Sequence, residues 1–223
     1  MSVSTTQRLI DASQDVWDRY LEHPFILGIQ DGTLDRERFR DYIIQDYLYI
    51  REYTRAFALG VAKARTNATM RLFTQYVAML VQYELDTQKG YIGQFGVSEK
   101  ELEATPMALP NRSYSAYMLR VAYEETEVET LVAILPCALT YEWIARKVIE
   151  ANPAAREHDF FGPWLRAYAE DYHDYNVELT ETLDLLTADY TEAQLRHLEE
   201  IFRACSRYEL GFWDMAWAGR AAW

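Results

Sequence analysis

The sequence predicts an all-α fold in which residues 1–223 form a single-domain helical bundle. Apolar residues recur at helical spacing along most of the chain, and no segment shows a convincing alternation of apolar and polar residues. Nine Gly and six Pro are few for 223 residues, which argues weakly against a many-turned β fold. The apolar share of 50% is enough for a substantial core, and the absence of a repeat or a Ser/Gly linker favours one domain.

The chain begins with two predicted helices. The first covers 4–22, where apolar residues share one face, and it ends at a break that runs from His23-Pro24 to Gly32. The second covers about 35–64. Its start fits an N-cap, because Thr33 or Asp35 can accept hydrogen bonds from the first free amides.

The rest of the pattern brings the total to seven or eight helices. The further helical segments are predicted at 67–92, 113–126, 128–150, 160–187 and 191–218. A loop with two Pro residues covers 105–112. The short loop Thr187–Thr191 joins two helices that we expect to be antiparallel.

The charge balance limits the partners that the protein can bind. Acidic residues number 35 and basic residues 22, which gives a formal charge of −13 that repels nucleic acid and anionic membrane surfaces. No stretch of 18 apolar residues lacks charges, and the N-terminal segment has no apolar core like that of a signal peptide. Two Cys form no disulfide framework, so we expect a cytoplasmic protein without membrane or nucleic-acid partners.

The first candidate for chemistry is Leu135-Pro136-Cys137-Ala138-Leu139-Thr140-Tyr141. Pro136 lies inside an apolar helical pattern, where it removes a backbone donor and kinks the helix. Tyr141 is four residues after Cys137 and therefore shares its face. Two interpretations are open, a cysteine nucleophile with a phenol beside it, or a buried inert Cys with a core Tyr.

A second candidate is Asp46 in the segment QDYLY, with Tyr49 on the same face. Asp46 either lies on the polar stripe of its helix or points inward, where it needs hydrogen bonds to offset desolvation. An amidine-like ligand edge has paired N–H groups that match a carboxylate. Tyr114 and Tyr117 form another same-face pair, and by themselves they are expected to be core or rim aromatics.

The predicted C-terminal helix places Glu209 among aromatic residues. Cys205, Glu209 and Trp213 follow one another at intervals of four, and Phe212 lies three residues after Glu209. Such surroundings suit a carboxyl group to general acid catalysis. A half-exposed Glu on an amphipathic helix is the alternative.

Metal-ligand spacing occurs once. Glu170-x-x-His173 matches half of a di-iron site of the kind found in helical bundles, and no second pair completes it. A structural or surface role for His173 is favoured, and no metal is expected. The sequence contains no phosphate-binding loop, dinucleotide-binding glycine pattern or Ser-centred elbow.

Taken in order, these segments resemble the TenA / thiaminase II family through nearly the whole chain. The resemblance is carried by five segments: His23-Pro24-Phe25 before a long helix, Asp46 and Tyr49 in QDYLY, Tyr114 and Tyr117 before a helix, LPC-x-x-x-Y at 135–141, and Tyr208-Glu209-x-x-Phe212-Trp213. It implies a haem-oxygenase-like helical bundle that assembles as a homotetramer. It also favours a catalytic Cys137 over an inert one.

The activity implied by the resemblance is cofactor-free hydrolysis at the methylene carbon of a 4-amino-2-methylpyrimidine. Substrates in the family are thiamine and 4-amino-5-aminomethyl-2-methylpyrimidine. The product, hydroxymethylpyrimidine, enters thiamine biosynthesis by salvage. Because this chain keeps Cys137, it resembles the Cys-containing branch, for which the aminopyrimidine is the expected substrate.

The resemblance assigns roles to individual residues. Cys137 is the nucleophile that adds to the electron-poor ring, and Glu209 donates a proton to the leaving amine. Asp46 holds the ring nitrogen and the 4-amino group. Aromatic residues complete the substrate site: Tyr141 and Phe212 as stacking rings, and Tyr49 and Tyr114 as hydroxyl groups.

The sequence departs from the family pattern in two places. Relatives usually have a site tyrosine shortly before a Trp, and here Phe161 occupies that place before Trp164, so the ring remains and the hydroxyl is missing. Glu84 and Gln88 stand where relatives often have Glu and His, and we interpret both as structural.

The residues alone leave two other functions open. A metal-dependent oxidase of haem-oxygenase type rests on Glu170 and His173 alone. A non-catalytic, pyrimidine-binding regulator is the other, although the charge of −13 argues against direct DNA contact. An oligomer is expected because aromatic residues near the C-terminus exceed what one core needs: Phe212, Trp213, Trp217 and Trp223.

Overall fold

The computed structural model describes residues 3–222, without the side chains at positions 86, 87, 221 and 222. Within that range all regular structure is helical, so the all-α prediction is confirmed. The α-helices are α1 (Thr5–Asp11), α2 (Gln14–Leu21), α3 (Pro24–Gln30), α4 (Arg36–Lys63), α5 (Asn67–Met79), α6 (Leu85–Gln94), α7 (Glu99–Ala104), α8 (Leu109–Glu124), α9 (Glu127–Ala151), α10 (Gly162–Arg166), α11 (His173–Leu186) and α12 (Glu192–Ala218).

Two π-helical turns interrupt segments that were predicted as continuous helices. Leu80–Glu84 connects α5 to α6, and Ala167–Asp171 lies between α10 and α11. A π turn holds one more residue than an α turn, so residues on either side of it no longer share the face that α spacing predicts. Short 3₁₀ segments lie at Pro153–Glu157 and Gly219–Ala222.

The predicted break at residues 23–32 is wrong in one respect, because most of it is the short helix α3. The ring Nδ1 of His23 accepts a hydrogen bond from the amide of Phe25 at 3.2 Å and caps the helix. Pro24 occupies the first helical position, where its missing N–H is not needed. A Pro therefore starts a helix here instead of only ending one.

The start of α4 is capped by Asp35 and not by Thr33. The Asp35 carboxylate accepts hydrogen bonds from the amides of Glu37 at 2.7 Å and Arg38 at 3.4 Å. Its negative charge also faces the positive end of the helix dipole. The prediction that one of these two residues caps the helix is confirmed, with Asp35 in that role.

The chain divides into two compact units, which we describe separately. The first unit contains Met1–Leu34 and Leu131–Trp213. Its core is built around Trp17, whose indole packs against Trp143 with ring centroids 5.4 Å apart and donates to the hydroxyl of Ser206 at 3.2 Å. The N-terminal helix is joined to α11 by Thr6, whose amide and hydroxyl both bind the Asp184 carboxylate, at 2.8 and 2.9 Å.

The second unit contains Asp35–Thr130 and Asp214–Trp223. The long helix α4 is its centre and contacts α5, α6 and α8. Phe57 of α4 stacks on Tyr76 of α5 with ring centroids 4.8 Å apart. The predicted single domain over 1–223 stays a prediction.

Replacing Gly60 of α4 with Ala is expected to destabilise the second unit. A Cβ at this position would overlap the ring of Phe73 on α5. Overpacking of this kind costs about 1–3 kcal/mol, more than the roughly 0.5–1 kcal/mol by which Ala improves on Gly inside a helix. Thermal unfolding should therefore show a lower Tm for Gly60→Ala.

The matched control for Gly60→Ala is Gly90→Ala in α6. A Cβ there would meet no described atom within 4 Å. Only the helix propensity changes, so the free energy of unfolding should rise by about 0.5–1 kcal/mol. Equal Tm shifts for the two variants would contradict the close contact of α4 and α5 at Gly60.

The helix α9 carries the longest apolar stretch. Among the described residues it is the one helix long and apolar enough to cross a membrane, judged by length and composition alone. In the structure 72% of its apolar window is buried, as in a helix that forms part of a protein core.

Candidate active site

Cys137 lies in the middle of α9, directly after Pro136. Pro136 cannot donate the hydrogen bond that normally joins consecutive helical turns, and this weakens the helix next to the thiol. Cys137 is half-buried, while the neighbouring positions 131–136 are buried. Cys137 is therefore more accessible than the buried apolar segment that precedes it.

The ring of Tyr141 connects α9 to the C-terminal helix. Tyr141 follows Cys137 by one helical turn and is 4% exposed. Its ring centroid lies 5.2 Å from that of Trp213 on α12 and 6.0 Å from that of Trp164 on α10. Since Trp213 is one turn after Glu209, the face of α9 that carries Cys137 meets the face of α12 that carries Glu209.

Tyr168 adds a further ring that the predicted site did not include. It lies on the π turn between α10 and α11, and its ring centroid is 4.8 Å from that of Tyr141. Tyr168 also packs on Trp164 at 4.9 Å. A phenol thus stands beside Tyr141 in the unit where Phe161 lacks a hydroxyl.

Glu209 is buried, with only 1% of its surface exposed. The half-exposed alternative is therefore wrong. Burial raises the pKa of Tyr20, and the Glu209 charge raises it further. The Tyr20 hydroxyl donates a hydrogen bond to the Ser206 carbonyl at 2.6 Å. Burial and the Glu209 charge also raise the pKa of Cys205. The carboxyl group thus interacts with an α2 phenol and an α12 thiol in an apolar setting.

The two cysteines are expected to differ sharply towards thiol reagents. Cys205 is fully buried and its pKa is raised, so it stays a protonated thiol around neutral pH and does not react. Cys137 is partly accessible. Native protein treated with iodoacetamide should carry one label, on Cys137, by peptide mass spectrometry, and unfolded protein should carry two. Labelling of Cys205 in native protein would contradict its buried position.

Phe161 is held by a histidine cap. It is 1% exposed, and its ring stacks on that of His158 with centroids 5.0 Å apart. The His158 Nδ1 accepts hydrogen bonds from the amides of Phe160 at 3.1 Å and Phe161 at 3.2 Å. The ring of Phe161 is therefore fixed by the turn that starts α10. Phe212, on α12, is also buried, at 2% exposed.

In the second unit, Tyr49 and Tyr114 lie together. Their rings stack with centroids 5.1 Å apart and an interplanar angle of 27°. The Tyr49 hydroxyl contacts the Met118 sulfur at 3.9 Å. Tyr117 is half-buried, and the guanidinium of Arg120 lies over its ring, 5.3 Å from the centroid.

Asp46 points inward, which decides between its two interpretations. It is 3% exposed, and one carboxylate oxygen accepts a hydrogen bond from the Gln88 amide of α6. The same amide nitrogen donates to Glu84 at 3.3 Å. Gln88 and Glu84 were expected to be structural. The sequence signal that could have indicated Gln88 is its helical spacing of four from an acidic residue.

Gln45 fixes the position of α8, which carries Tyr114. Its Oε1 accepts hydrogen bonds from the amide of Ala108 at 2.9 Å and from the Asn111 side chain at 3.1 Å. Its Nε2 donates to the Pro106 carbonyl at 3.0 Å. Gln45 is 1% exposed. This buried network holds the start of α8 against α4, so that Tyr114 faces Tyr49.

Glu170 and His173 do not act as a pair in the structure. Glu170 accepts hydrogen bonds from the Arg156 guanidinium at 2.8 and 3.0 Å. The His173 Nδ1 lies 2.7 Å from the Glu142 carboxylate, which also binds Asn176. The π turn at Ala167–Asp171 explains the separation, because it removes the shared face that the i, i+3 spacing predicted.

The C-terminal aromatics do not form the exposed set from which an oligomer was inferred. Phe212 and Trp213 are 2% and 0% exposed, and Trp213 packs on Phe25 with centroids 5.5 Å apart. Trp217 is 39% exposed and lies under the Arg38 guanidinium at 4.3 Å. Trp223 lies outside the described residues. The expectation was wrong for Phe212 and Trp213 because they complete the core of the first unit.

Comparison with known proteins identifies the relatives of this chain. A model of the TENA/THI-4/PQQC family matches residues 10–219. An aminopyrimidine aminohydrolase of Helicobacter pylori is 37% identical over 219 residues, covering 96% of this chain and 99% of that protein. An aminopyrimidine aminohydrolase of Halalkalibacterium halodurans is 35% identical, covering 98% of this chain and 97% of that protein.

Solved structures agree with these relatives. A TenA family transcription regulator from a Silicibacter species has a TM-score of 0.88 at 27% identity, over 95% of this chain and 96% of its own. A TenA homologue from P. horikoshii has a TM-score of 0.87 at 28% identity, over 97% of this chain and all of its own.

A domain from Shewanella denitrificans with a heme oxygenase-like fold has a TM-score of 0.78 at 15% identity, over 97% of this chain and 93% of its own. This likeness confirms the predicted haem-oxygenase-like fold. The family model covers most of the chain, and two relatives above 30% identity span nearly all of it. The protein therefore belongs to the TENA/THI-4/PQQC family.

Proposed function

We propose that the protein hydrolyses 4-amino-5-aminomethyl-2-methylpyrimidine to 4-amino-5-hydroxymethyl-2-methylpyrimidine and ammonia, with thiamine as a second substrate. One observation carries the proposal. The half-buried thiol of Cys137 is one turn from Tyr141, whose ring packs on Trp213, one turn from the buried Glu209. A nucleophile and an acid thus lie on contacting helices. The two relatives above 30% identity described above carry the name of this activity.

The reaction starts with addition of the Cys137 thiolate to an electron-poor carbon of the pyrimidine ring. The ring then pushes an electron pair towards the exocyclic methylene, and the bond to the amino group breaks as Glu209 supplies a proton to the leaving ammonia. Water adds to the methylene carbon and gives up a proton to the Glu209 carboxylate. The thiolate is expelled, and the aromatic ring is restored. No electron acceptor is consumed.

The other predicted residues hold the substrate in this scheme. Asp46 binds the ring nitrogen and the 4-amino group, because a carboxylate accepts two parallel N–H bonds and stabilises the positive charge that favours attack. The remaining residues supply rings or hydroxyls around the pyrimidine: Tyr49, Tyr114, Tyr141, Phe161 and Phe212. The burial of Asp46 is consistent with this role, since a dry carboxylate binds N–H groups more strongly than a solvated one.

The test is an end-point assay by mass spectrometry. Metal-stripped protein is incubated with the aminomethylpyrimidine and, separately, with thiamine. Hydroxymethylpyrimidine should form from the aminomethylpyrimidine without added metal, and the faster substrate identifies the natural one. Absence of product from both substrates would contradict the proposed activity.

A cytoplasmic location and a homotetrameric state are part of the same proposal. Both cysteines are free, and a nucleophilic thiol needs a reducing compartment. Large apolar side chains stay exposed in each unit, including Tyr123 at 69% and Leu185 at 79%, and they are available for contacts between subunits. A monomer mass from light scattering coupled to gel filtration would contradict the tetramer.

A further inference from the structure

Three buried polar side chains of the second unit form a cluster in which one amide oxygen has no hydrogen-bond partner among the described residues. The Gln88 cluster consists of Asp46 on α4, Glu84 at the end of the first π turn, and Gln88 on α6. They are 3%, 4% and 3% exposed. Burying two carboxyl groups side by side is unfavourable unless donors face them. The Gln88 amide nitrogen is a donor that faces both carboxyl groups.

The orientation of the Gln88 side chain follows from its partners. A carboxylate only accepts hydrogen bonds, so the amide end that faces Asp46 and Glu84 is the donating nitrogen. The carbonyl Oε1 then lies at the other end of the amide. Among the side chains that the structure describes, this oxygen has no hydrogen-bond partner although it is buried. A buried acceptor without a partner in the protein is available to a donor on a bound molecule.

We propose that Gln88 is a specificity-determining residue, whose Oε1 accepts an N–H of the exocyclic 4-amino group while its Nε2 holds the Asp46 carboxylate in place. The inference rests on the proposed function. A protonated 4-aminopyrimidine edge has three N–H bonds. The ring N–H and one amino N–H satisfy Asp46, and the second amino N–H is left for the Gln88 carbonyl.

The arrangement predicts which ring is rejected. In the 4-oxo analogue the amino group is replaced by a carbonyl, and two acceptors then face one another at Gln88. A site built to hydrogen-bond an amino group rejects a ligand that lacks it much more strongly than an apolar pocket rejects a change of shape. Discrimination between 4-amino and 4-oxo rings should therefore depend on Gln88.

The experiment measures binding of the product, which is not turned over. Calorimetry gives Kd values of 4-amino-5-hydroxymethyl-2-methylpyrimidine and its 4-oxo analogue for the wild type, Gln88→Met and Gln88→His. Gln88→Met should bind the 4-amino ligand about 10- to 100-fold more weakly, because two hydrogen bonds are lost, one of them to a charged group. Binding of the 4-oxo analogue should hardly change, so the preference for the 4-amino ring, measured as the ratio of the two Kd values, should fall by the same factor.

Two further variants complete the comparison. Gln88→His should restore much of the preference, because a neutral imidazole has one donor and one acceptor nitrogen. The exposed Gln75 on α5 provides the matched control, and Gln75→Met should keep the wild-type preference. Gln88→Ala replaces Gln88→Met if the latter does not fold.

The outcomes separate this inference from the proposed function. If Gln88→Met or Gln88→Ala lowers only the Tm, or weakens both ligands equally, Gln88 is structural and the inference is overturned. If the wild type binds neither pyrimidine, the proposed function is contradicted, and the inference about Gln88 is overturned with it. A wild type that prefers the 4-amino ligand and a Gln88→Met variant in which this preference is weaker by about 10-fold or more support the inference.

Discussion

Cys137→Ala is expected to lower the turnover of the aminomethylpyrimidine by about 10³-fold or more, because covalent addition to the ring is lost. Binding of the product should change little, since the thiol is not the main contact to the amino edge. Stability should also change little, because Cys137 is half-buried and Ala is a good helix former. The measurement is single-turnover kinetics with mass spectrometric detection, together with the Tm of each protein.

The matched control is Cys205→Ala. Cys205 is fully buried, so its truncation should lower the free energy of unfolding by about 1–3 kcal/mol and leave product formation in place. Full activity of Cys137→Ala, or loss of activity in folded Cys205→Ala, would show that the assignment of Cys137 as the nucleophile is wrong.

Glu209→Gln is the second substitution with a large expected effect. The amide cannot donate the proton that the leaving ammonia needs, so turnover should fall about 10²- to 10⁴-fold. The Glu209 charge helps to raise the pKa of Tyr20, so removing that charge should lower the pKa of the phenol. Absorbance titration of the tyrosines in the folded protein would detect this shift, and stopped assays would measure the turnover.

The control for Glu209→Gln is Glu200→Gln on the same helix. Glu200 is exposed, so the same chemical change should leave both turnover and the titration of Tyr20 unchanged. A protein with Glu209→Gln that retains wild-type turnover would show that another group is the acid.

The sequence predicted the long helices well and the short ones poorly. The predicted segments 35–64, 128–150 and 191–218 correspond to α4, α9 and α12, because a long apolar face defines a helix over many turns. The interruptions inside 4–22, 67–92 and 160–187 were missed. A π turn adds one residue without a Gly or Pro signal, so no local residue type marks it.

Site residues were predictable where one helix carries them. Cys137 with Tyr141, and Glu209 with its aromatic neighbours, repeat at helical spacing, and the structure places each set within one unit. The spacing left both interpretations of Cys137 open, and only the resemblance favoured the catalytic one. The sequence could not show whether Asp46 lies on the polar stripe of its helix or points inward. An inward carboxylate needs a hydrogen-bond donor from another helix, and Gln88 provides one.

Residues that act on a neighbouring helix were missed for the same physical reason. Gln45 holds backbone groups of the loop before α8, and such bonds to main-chain atoms leave no mark in the sequence of the loop. The contact of Tyr168, on the second π turn, with Tyr141 likewise joins two helical segments that the sequence does not show to be neighbours. Contacts of this type can be identified only from the packed structure.

The link between Thr6 and Asp184 has a consequence for the order in which the chain folds during its synthesis. The two residues are 178 positions apart. At about 5–20 residues per second, translation takes roughly 9–36 s to cover that distance. The N-terminal helices leave the ribosome first, yet they cannot complete their packing until α11 follows. Over this interval their apolar faces are accessible to chaperones, whereas the continuous segment 35–130 emerges with most of its own unit already present.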